Sequence, residues 1–340
     1  MPVSVRSFAK INIGLVIGPP GMRADGFHEL RTVYQTIALH DTIKLSLTSG
    51  STGIEIKCRD PRVPQDESNT CYRIADRVMK ALKSRGKLTI TIEKQLPVQG
   101  GMGAASSNGV ATMLGIEKLL KKQLSAADRL RIAEEVGSDL PLFLIGGTVL
   151  GVGRGEQVYP LPELPPIYVV VATPDIGVST PKAFAAWDAV FHEEGFGKSD
   201  RRLGSLTIST QTSKLSEFSR EVYAWLNAGF SAAASGVSAR GGNRAEAPLL
   251  DLVRTGIEND FERVVFTQFP ELRDVKRVLE RVGCRYTSLS GSGSTVYGLI
   301  DSKAAATKAA AELNKQGIAA QATEFVSREQ YWKQIVVSGK

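Results

Sequence analysis

A glycine-rich loop near residue 100 carries the first residues whose types and spacing could do chemistry. It lies between an alternating apolar run, Leu88–Glu93, and a stretch with helical periodicity that begins near Ser106. Small residues let a backbone approach a ligand closely, and consecutive N–H groups in such a loop can surround an anion. The helix that follows adds unpaired N–H groups and the positive end of its dipole. The loop therefore predicts phosphate binding through Pro97, Val98, Gln99, Gly100, Gly101, Met102, Gly103, Ala104, Ala105, Ser106 and Ser107.

Three alternatives start from the same glycine-rich loop. A glycine-rich turn with serine N-caps and no ligand is about as common for a lone loop of this kind. A Rossmann fingerprint needs a parallel βαβ unit and an acidic residue about 20 positions on, which the order of elements here does not supply. A GxxxxGK[ST] loop is absent, because Gly197-Lys198-Ser199 has His192 at the position of the first glycine.

Polar residues in three other segments could act together with the loop. FAKINIGL places Lys10 and Asn12 in an otherwise apolar, strand-like run, and GSDLPLF places Asp139 before a Leu-Pro pair. SLSGSGSTVY places a glycine-serine turn between two apolar runs. A lysine can hold a carboxylate ionised, and a carboxylate can accept the proton of a hydroxyl group. Each segment also fits a purely structural role: an edge-strand lysine, an N-cap aspartate and a hairpin turn.

These motifs, in this order, resemble those of the GHMP kinase superfamily, which includes galactokinase, homoserine kinase and mevalonate kinase. The resemblance is clear over Val3–Pro181 and Ile257–Ile300, and it is not clear over His192–Pro248. It implies ATP-dependent phosphorylation of an alcohol, with Asp139 as the catalytic carboxylate. Lys10 would hold Asp139 ionised and stabilise negative charge on the attacking oxygen.

The segment RADGFHEL narrows this resemblance within the superfamily. It is similar to the branch that phosphorylates the 2-hydroxyl of 4-diphosphocytidyl-2-C-methyl-D-erythritol in the non-mevalonate isoprenoid pathway. The resemblance implies that Phe27 and His28 read the cytosine and that Phe184 stacks on its other face. Phe27 stands where the family often has tyrosine, so stacking is kept while a phenolic hydroxyl is lost. Further substrate contacts are implied for Asn12, Gly291 and Ser292.

Magnesium is implied because kinases use ATP as its magnesium complex. No cluster of carboxylates in the sequence marks a protein cage for the ion, and no protein metal site is predicted. The phosphates are expected to hold it, with help from Ser106 or Ser107.

The elements that must position these residues follow from periodicity. Strands are predicted at Val3–Ile17, Arg31–Ala38, Thr42–Leu47, Ile54–Cys58, Leu88–Glu93, Thr148–Gly153, Tyr168–Ala172, Arg285–Leu289, Thr295–Ile300 and Ile318–Phe325. Helices are predicted at Thr70–Leu82, Ser106–Leu120, Ser125–Gly137, Lys182–Ala189, Leu249–Arg254, Leu272–Arg281 and Lys303–Lys315.

This order of elements favours an α+β protein. With the resemblance, it predicts the GHMP kinase two-domain fold. A ribosomal-protein-like α/β domain would span residues 1–165, and a ferredoxin-like α+β sandwich would span residues 166–340, with an insertion near 192–248. The part Ala228–Pro248 is rich in alanine, glycine and serine, which predicts a surface loop.

Composition limits the partners and the compartment. The 340 residues are 42% hydrophobic and 23% charged, which is ordinary for a soluble globular protein. The net charge of +7 is spread along the chain without basic-aromatic interleaving, so a nucleic-acid partner is not expected. Three cysteines without metal-site spacing, no signal-peptide layout and no membrane-length apolar run favour a cytoplasmic protein.

The interpretation that these patterns favour is a cytoplasmic kinase that is a monomer or a weak homodimer. Two alternatives stay open from the sequence. The chain could be another GHMP enzyme of the homoserine or mevalonate type, or a catalytically inactive GHMP fold that binds a ligand.

Overall fold

The computed structural model describes residues 2–191, 211–223 and 258–337. Its strands are β1 (Val3–Ile17), β2 (Leu30–Thr48), β3 (Gly53–Cys58), β4 (Lys87–Glu93), β5 (Thr148–Gly153), β6 (Gln157–Pro160), β7 (Tyr168–Ala172), β8 (Tyr286–Leu289), β9 (Val296–Ile300), β10 (Ala320–Glu324) and β11 (Val336–Val337). Its helices are α1 (Thr70–Ala81), α2 (Ala104–Leu120), α3 (Ala126–Val136), α4 (Leu140–Phe143), α5 (Thr180–Phe191), α6 (211–223), α7 (Phe261–Gln268), α8 (Pro270–Arg281), α9 (Lys303–Lys315) and α10 (Arg328–Gln334).

The strands form two sheets. The larger sheet has the order β11-β1-β2-β4-β3, with β5 paired to β2 and β6 paired to β5. The smaller sheet has the order β10-β7-β9-β8. Of these strand pairs, only β3 with β4 is parallel. Two mostly antiparallel sheets with helices confirm the predicted α+β class. The glycine-rich loop lies between β4 and α2, and the next strand, β5, pairs with β2 and β6 and not with β4, so the loop does not belong to a parallel βαβ unit that binds a dinucleotide.

Three apolar clusters hold these layers together. The first packs α1 and α2 on the larger sheet, and β4 contributes Leu88, Ile90 and Ile92 at alternate positions. The second packs α5, α7, α8 and α9 on the smaller sheet around the fully buried Trp187. The third lies between the two sheets and includes Ile11, Ile13, Val33, Val169 and Tyr297.

Strand β1 is shared by both halves of the molecule. Its residues Ile11 and Ile13 enter the cluster between the sheets. Because side chains alternate along a strand, Lys10 and Asn12 point to the opposite face of β1. A buried cluster on one side of the strand therefore fixes two polar side chains on the other.

Several elements differ from those the sequence predicts. β2 is one continuous strand of 19 residues where two were expected. Elements β6, α6, α7, α10 and β11 were not predicted, and α4 corresponds to the short helix of the alternative in which Asp139 is an N-cap. β11 pairs with β1, and Tyr331 of α10 is buried in the first cluster, so residues 328–337 pack on the larger sheet. The division at residue 165 stays a prediction.

The expected insertion at 192–248 lies outside the described residues except for α6, and so does the helix predicted at Leu249–Arg254. Among the helices that the structure describes, none has both the length and the apolar character needed to cross a bilayer.

Candidate active site

A cavity of about 880 Å³ collects the predicted site residues from both halves of the molecule. Of the residues expected from the sequence, all but Ser107 line it: Lys10, Asn12, Phe27, His28, the loop residues from Pro97 to Ser106, Asp139, Phe184, Gly291 and Ser292. Motifs that are far apart in the chain therefore face one shared space.

The glycine-rich loop leads directly into α2. Gly103 has a φ of 66° at the N-cap of α2, and no side chain caps this helix. The first helical hydrogen bond runs from the N–H of Ser107 to the carbonyl of Gly103, at 2.9 Å. The N–H groups of the three residues between them consequently have no partner within the helix, which is the arrangement that suits an anion.

The turn at Ser290–Ser294 packs against this loop. A Cβ atom on Gly101, which has a φ of 73°, would lie 2.1 Å from the carbonyl oxygen of Ser290. The Ser290 hydroxyl donates to the Gly101 carbonyl at 3.0 Å, and the N–H of Thr295 donates to the Gly100 carbonyl at 3.2 Å. Only glycine at position 101 lets the two backbones approach this closely.

Lys10 is buried at the centre of the cavity wall, with 3% of its surface exposed. Its Nζ atom donates to Asn12 Oδ1 at 2.7 Å and to the Gly101 carbonyl at 2.8 Å. It also lies 3.7 Å from Asp139 Oδ2. Burial lowers the pKa of Lys10, and the negative charge of Asp139 opposes that shift.

Asp139 immediately precedes α4, but its side chain makes no capping hydrogen bond. Its carboxylate instead accepts a hydrogen bond from the Tyr34 hydroxyl at 3.2 Å and pairs with Lys10, while 35% of the side chain stays exposed. Burial and the charge of Asp139 hold the pKa of Tyr34 well above its usual value, so this phenol remains a donor. The carboxylate is oriented by two side chains and remains open to the cavity.

Asn12 has both ends of its side chain occupied by protein groups. Its Oδ1 atom accepts from Lys10, and its Nδ2 atom donates to Thr32 Oγ1 at 2.8 Å. Thr32 in turn donates to the carbonyl of Gly14 at 2.8 Å. The chain of hydrogen bonds fixes the direction of the Lys10 ammonium group.

An aromatic group forms one end of the cavity. The rings of His28 and Phe184 stack, with centroids 4.8 Å apart and planes 13° from parallel. His28 Nε2 lies 2.7 Å from Asp188 Oδ1. Phe27 is 54% exposed, and the guanidinium of Arg154 lies 4.8 Å from the centre of its ring. Phe184 thus faces His28, while Phe27 lies against Arg154.

The two serines that could help a magnesium ion lie in different environments. Ser106 lines the cavity. Ser107 is buried, and its hydroxyl accepts a hydrogen bond from the Ser7 hydroxyl at 2.8 Å. Across the described residues, no group of three or more histidine, cysteine, aspartate or glutamate side chains is placed to bind a metal ion.

A fully buried carboxylate, Asp41, supports the chain that leads into the loop. It accepts hydrogen bonds from the N–H groups of Gln95 and Leu96 at 2.7 and 2.8 Å. It also accepts from Lys94 Nζ at 2.6 Å and Asn108 Nδ2 at 3.0 Å. These four donors join β2, the start of the loop and α2, so Asp41 fixes where the loop begins.

Sequence reasoning missed several residues around the cavity. Tyr34 pairs with Asn12 across β1 and β2, so its place beside Lys10 follows from a strand register that the sequence does not give. Asn259 donates to the carbonyls of Leu289 and Gly291, both at 2.8 Å, and so fixes the serine-glycine turn. Asp188 contacts His28, and the sequence carries one signal for it. Asp188 follows the predicted site residue Phe184 by one helical turn, which places the two on the same face of the helix.

Comparison with known proteins identifies the family of the chain. Residues 69–147 match the GHMP kinases N terminal domain, and residues 245–319 match GHMP kinases C terminal. The 4-diphosphocytidyl-2-C-methyl-D-erythritol kinase of Solibacter usitatus is 36% identical over 296 residues, covering 87% of this chain and 80% of that protein.

Solved structures share the fold of this chain. A crystal structure of 4-(cytidine 5'-diphospho)-2C-methyl-D-erythritol kinase superposes with a TM-score of 0.68 at 26% identity, covering 95% of this chain and 98% of that one. A homoserine kinase from Cytophaga hutchinsonii, at 19% identity and a TM-score of 0.61 over 95% of each chain, shares the fold. The chain belongs to the 4-diphosphocytidyl-2-C-methyl-D-erythritol kinase family of the GHMP kinases and is an ATP-dependent small-molecule kinase.

Proposed function

We propose that this chain transfers the γ-phosphoryl group of ATP to the 2-hydroxyl of 4-diphosphocytidyl-2-C-methyl-D-erythritol. One observation carries the proposal: the Lys10–Asp139 pair lies in the same cavity as the glycine-rich loop and the His28–Phe184 stack. The pair lies where the hydroxyl acceptor would meet a phosphate held by the loop. The Solibacter usitatus relative, at 36% identity, carries the name of this activity.

Asp139 is the group that acts on the acceptor hydroxyl. Its carboxylate is open to the cavity and oriented by Tyr34, so it can accept the hydroxyl proton or orient the O–H bond. The acceptor oxygen then forms a bond to the γ-phosphorus as the bond to the β-phosphate oxygen breaks, and ADP leaves. Lys10 offsets negative charge on the acceptor oxygen, from a buried position where a charge acts strongly.

The glycine-rich loop would hold the phosphates of ATP. The loop fits a polyphosphate because Gly101 and Gly103 bring backbone close to the cavity and the start of α2 offers unpaired N–H groups. Ser106, rather than the buried Ser107, is the serine we assign to the magnesium ion that accompanies ATP. Asn69, Ile92 and Lys94 also line the cavity, and we assign them to the nucleoside of ATP.

The cytidine end of the substrate would lie against Phe27, His28 and Phe184. Aromatic faces stack on a base, and the imidazole meets its polar edge. Gly291 and Ser292 line the same cavity, and a Cβ on Gly291 would lie 3.3 Å from Lys10 Nζ. Ser292 Oγ lies 2.8 Å from Thr180 Oγ1. We assign these two residues to the middle of the substrate, between the cytidine and the reacting hydroxyl.

We also place the enzyme in a reducing cytoplasm, as a monomer or weak homodimer. Its three cysteines, Cys58, Cys71 and Cys284, are free thiols, which supports a reducing compartment. Light scattering over a range of protein concentrations tests the oligomeric state, and a stable dimer at nanomolar concentration would contradict it.

A coupled assay of ADP release tests the reaction directly. We expect turnover with 4-diphosphocytidyl-2-C-methyl-D-erythritol and none above background with homoserine or mevalonate. Turnover with homoserine but not with the cytidylyl substrate would overturn the proposal. The product should carry phosphate on the 2-hydroxyl, as read by phosphorus NMR.

Two variants separate catalysis from folding. Asp139→Ala should abolish measurable turnover while leaving ATP binding in place, because the loop does not depend on that carboxylate. The matched control is Asp274→Ala, since Asp274 is an exposed surface residue of α8. Unchanged turnover in the Asp139 variant would remove Asp139 as the group that acts on the hydroxyl.

A further inference from the structure

We propose that Asp188 is a positioning residue that fixes the tautomer of His28 and thereby selects cytosine over uracil. The inference rests on the proposed function, because it needs a cytidine base at the aromatic end of the cavity. It concerns how cytosine is distinguished from uracil, which has a carbonyl oxygen in place of the 4-amino group and an N–H in place of the N3 acceptor.

Helix α5 supplies both partners of the His28 ring. Phe184 stacks on the ring at 4.8 Å, and Asp188, four residues later on the same face of the helix, lies 2.7 Å from Nε2. A carboxylate at neutral pH only accepts hydrogen bonds, so the proton of the pair lies on Nε2. In the neutral ring, the other nitrogen, Nδ1, is then an acceptor.

We assign Nδ1 of His28 to the ligand. The ring lines the cavity, and within residues 2–191, 211–223 and 258–337 its hydrogen bonding is confined to the contact with Asp188. A base that meets Nδ1 edge-on lies in the plane of the imidazole. Because that plane is 13° from the plane of Phe184, such a base also runs parallel to the phenyl ring.

The two pyrimidine bases differ in what they offer when position 4 of the base meets Nδ1. Cytosine carries an exocyclic amine, which donates to an acceptor, whereas uracil carries a carbonyl oxygen there, which repels one. An Nδ1 acceptor consequently favours cytosine. The opposite tautomer, with the proton on Nδ1, would reverse the preference. Asp188 selects between these two states through its contact with Nε2.

Asp188→Asn is the variant that tests this. An amide can donate to Nε2 as well as accept from it, so the variant admits the Nδ1–H tautomer. We expect the ratio of CDP affinity to UDP affinity to fall by about tenfold, the size of one preferred hydrogen bond. Asp188→Glu, which keeps a carboxylate, should restore part of the ratio, and Asp274→Asn on the exposed face of α8 should leave it unchanged.

Titration calorimetry with CDP and UDP measures that ratio on one protein sample, so a partly unfolded fraction cancels. Nitrogen-15 NMR of labelled histidine, at about pH 8, reads the tautomer directly. His28 is assigned by comparison with a His28→Gln sample among the three histidines of the chain. We expect Nδ1 unprotonated in the wild type and a mixed tautomer in Asp188→Asn.

An unchanged CDP/UDP ratio in Asp188→Asn, or a wild-type ring that is protonated at Nδ1, would overturn the inference. Neither measurement uses turnover. A wild-type protein that selects CDP through Asp188 yet fails to phosphorylate the cytidylyl substrate would contradict the proposed function alone.

Discussion

Replacing Lys10 with methionine removes the charge beside Asp139 and keeps a side chain of similar length. In the wild type the ammonium group lies 3.7 Å from Asp139 Oδ2 and donates to Asn12 and to the Gly101 carbonyl. After the substitution the Gly101 carbonyl still accepts from Ser290, so the loop retains that support. The loss is therefore concentrated on the electrostatics of the acceptor hydroxyl.

The size of that loss follows from the distance between the charges. Two unit charges 3.7 Å apart interact by about 4.5 kcal/mol at an effective dielectric constant of about 20. Asp139 is one-third exposed, so solvent screens part of this and leaves about 2–3 kcal/mol. If Lys10 exerts this effect on the transition state, kcat falls by about 30- to 150-fold.

Steady-state kinetics of Lys10→Met, Asp139→Asn and the double variant measures the effect. Because the two residues act on one oxygen, kcat of the double variant should lie within about threefold of kcat of the slower single variant. Lys44→Met, which removes an exposed lysine that pairs with Glu93, is the matched control. A Lys10→Met enzyme that keeps kcat within about threefold of the wild type, or a double variant in which the two losses multiply, would refute this electrostatic role.

Three further predictions concern the loop, the lysine and the thiols. Gly101→Ala should weaken ATP binding and lower the free energy of unfolding. The loss of stability should exceed that of Gly21→Ala, for which we expect about 1–2 kcal/mol. Both glycines have a φ of 73°, but a Cβ on Gly21 meets nothing, and equal costs on chemical denaturation would contradict the contact with Ser290. Because burial lowers the pKa of Lys10, a pH–rate profile should show kcat falling as pH rises at values below the ordinary 10.5. The unfolded chain keeps the Lys10 proton up to about pH 10.5, whereas the folded protein releases it at lower pH. The free energy of unfolding should therefore rise with pH over this window, and a free energy that does not change with pH there would contradict the lowered pKa. Burial raises the pKa of Cys71 and of Cys284 to about 12, so alkylation at about pH 8 should modify Cys58 first by mass spectrometry.

The sequence predicts much of this site because its motifs are local. The loop from Pro97 to Ser107 combines a strand, small residues and a helix start within a short segment, and each has its own signal. Lys10 is marked by its position in an apolar run. In contrast, the neighbours that orient these groups come from register and long-range packing. Tyr34 and Asn259 are ordinary residues in sequence. Only the fold brings Tyr34 to the cavity and Asn259 to the turn at Ser290–Ser294.

Two further differences have physical causes. The motif predicts Ser107 as a phosphate or metal contact, yet the turn of α2 directs it to Ser7 and away from the cavity. The sequence predicts two strands, Arg31–Ala38 and Thr42–Leu47, where β2 is continuous, and polar His40 and Asp41 lie in the interruption between them. Asp41 is instead a buried acceptor for four donors, so the interruption marks a structural site inside one continuous strand.

The pairing of β11 with β1 has a consequence for how the protein is made. Residues 328–337 are synthesised well after the rest of the larger sheet, yet they supply Tyr331 to its core and the outer neighbour of β1. Strand β1, which bears Lys10 and Asn12, leaves the ribosome before the other strands named above, but it can pair with β11 only after Val336 and Val337 have been made. Such a long-range contact slows folding. Ribosome-bound chains halted before residue 328 should therefore be cut by protease within the larger sheet, and released chains should resist.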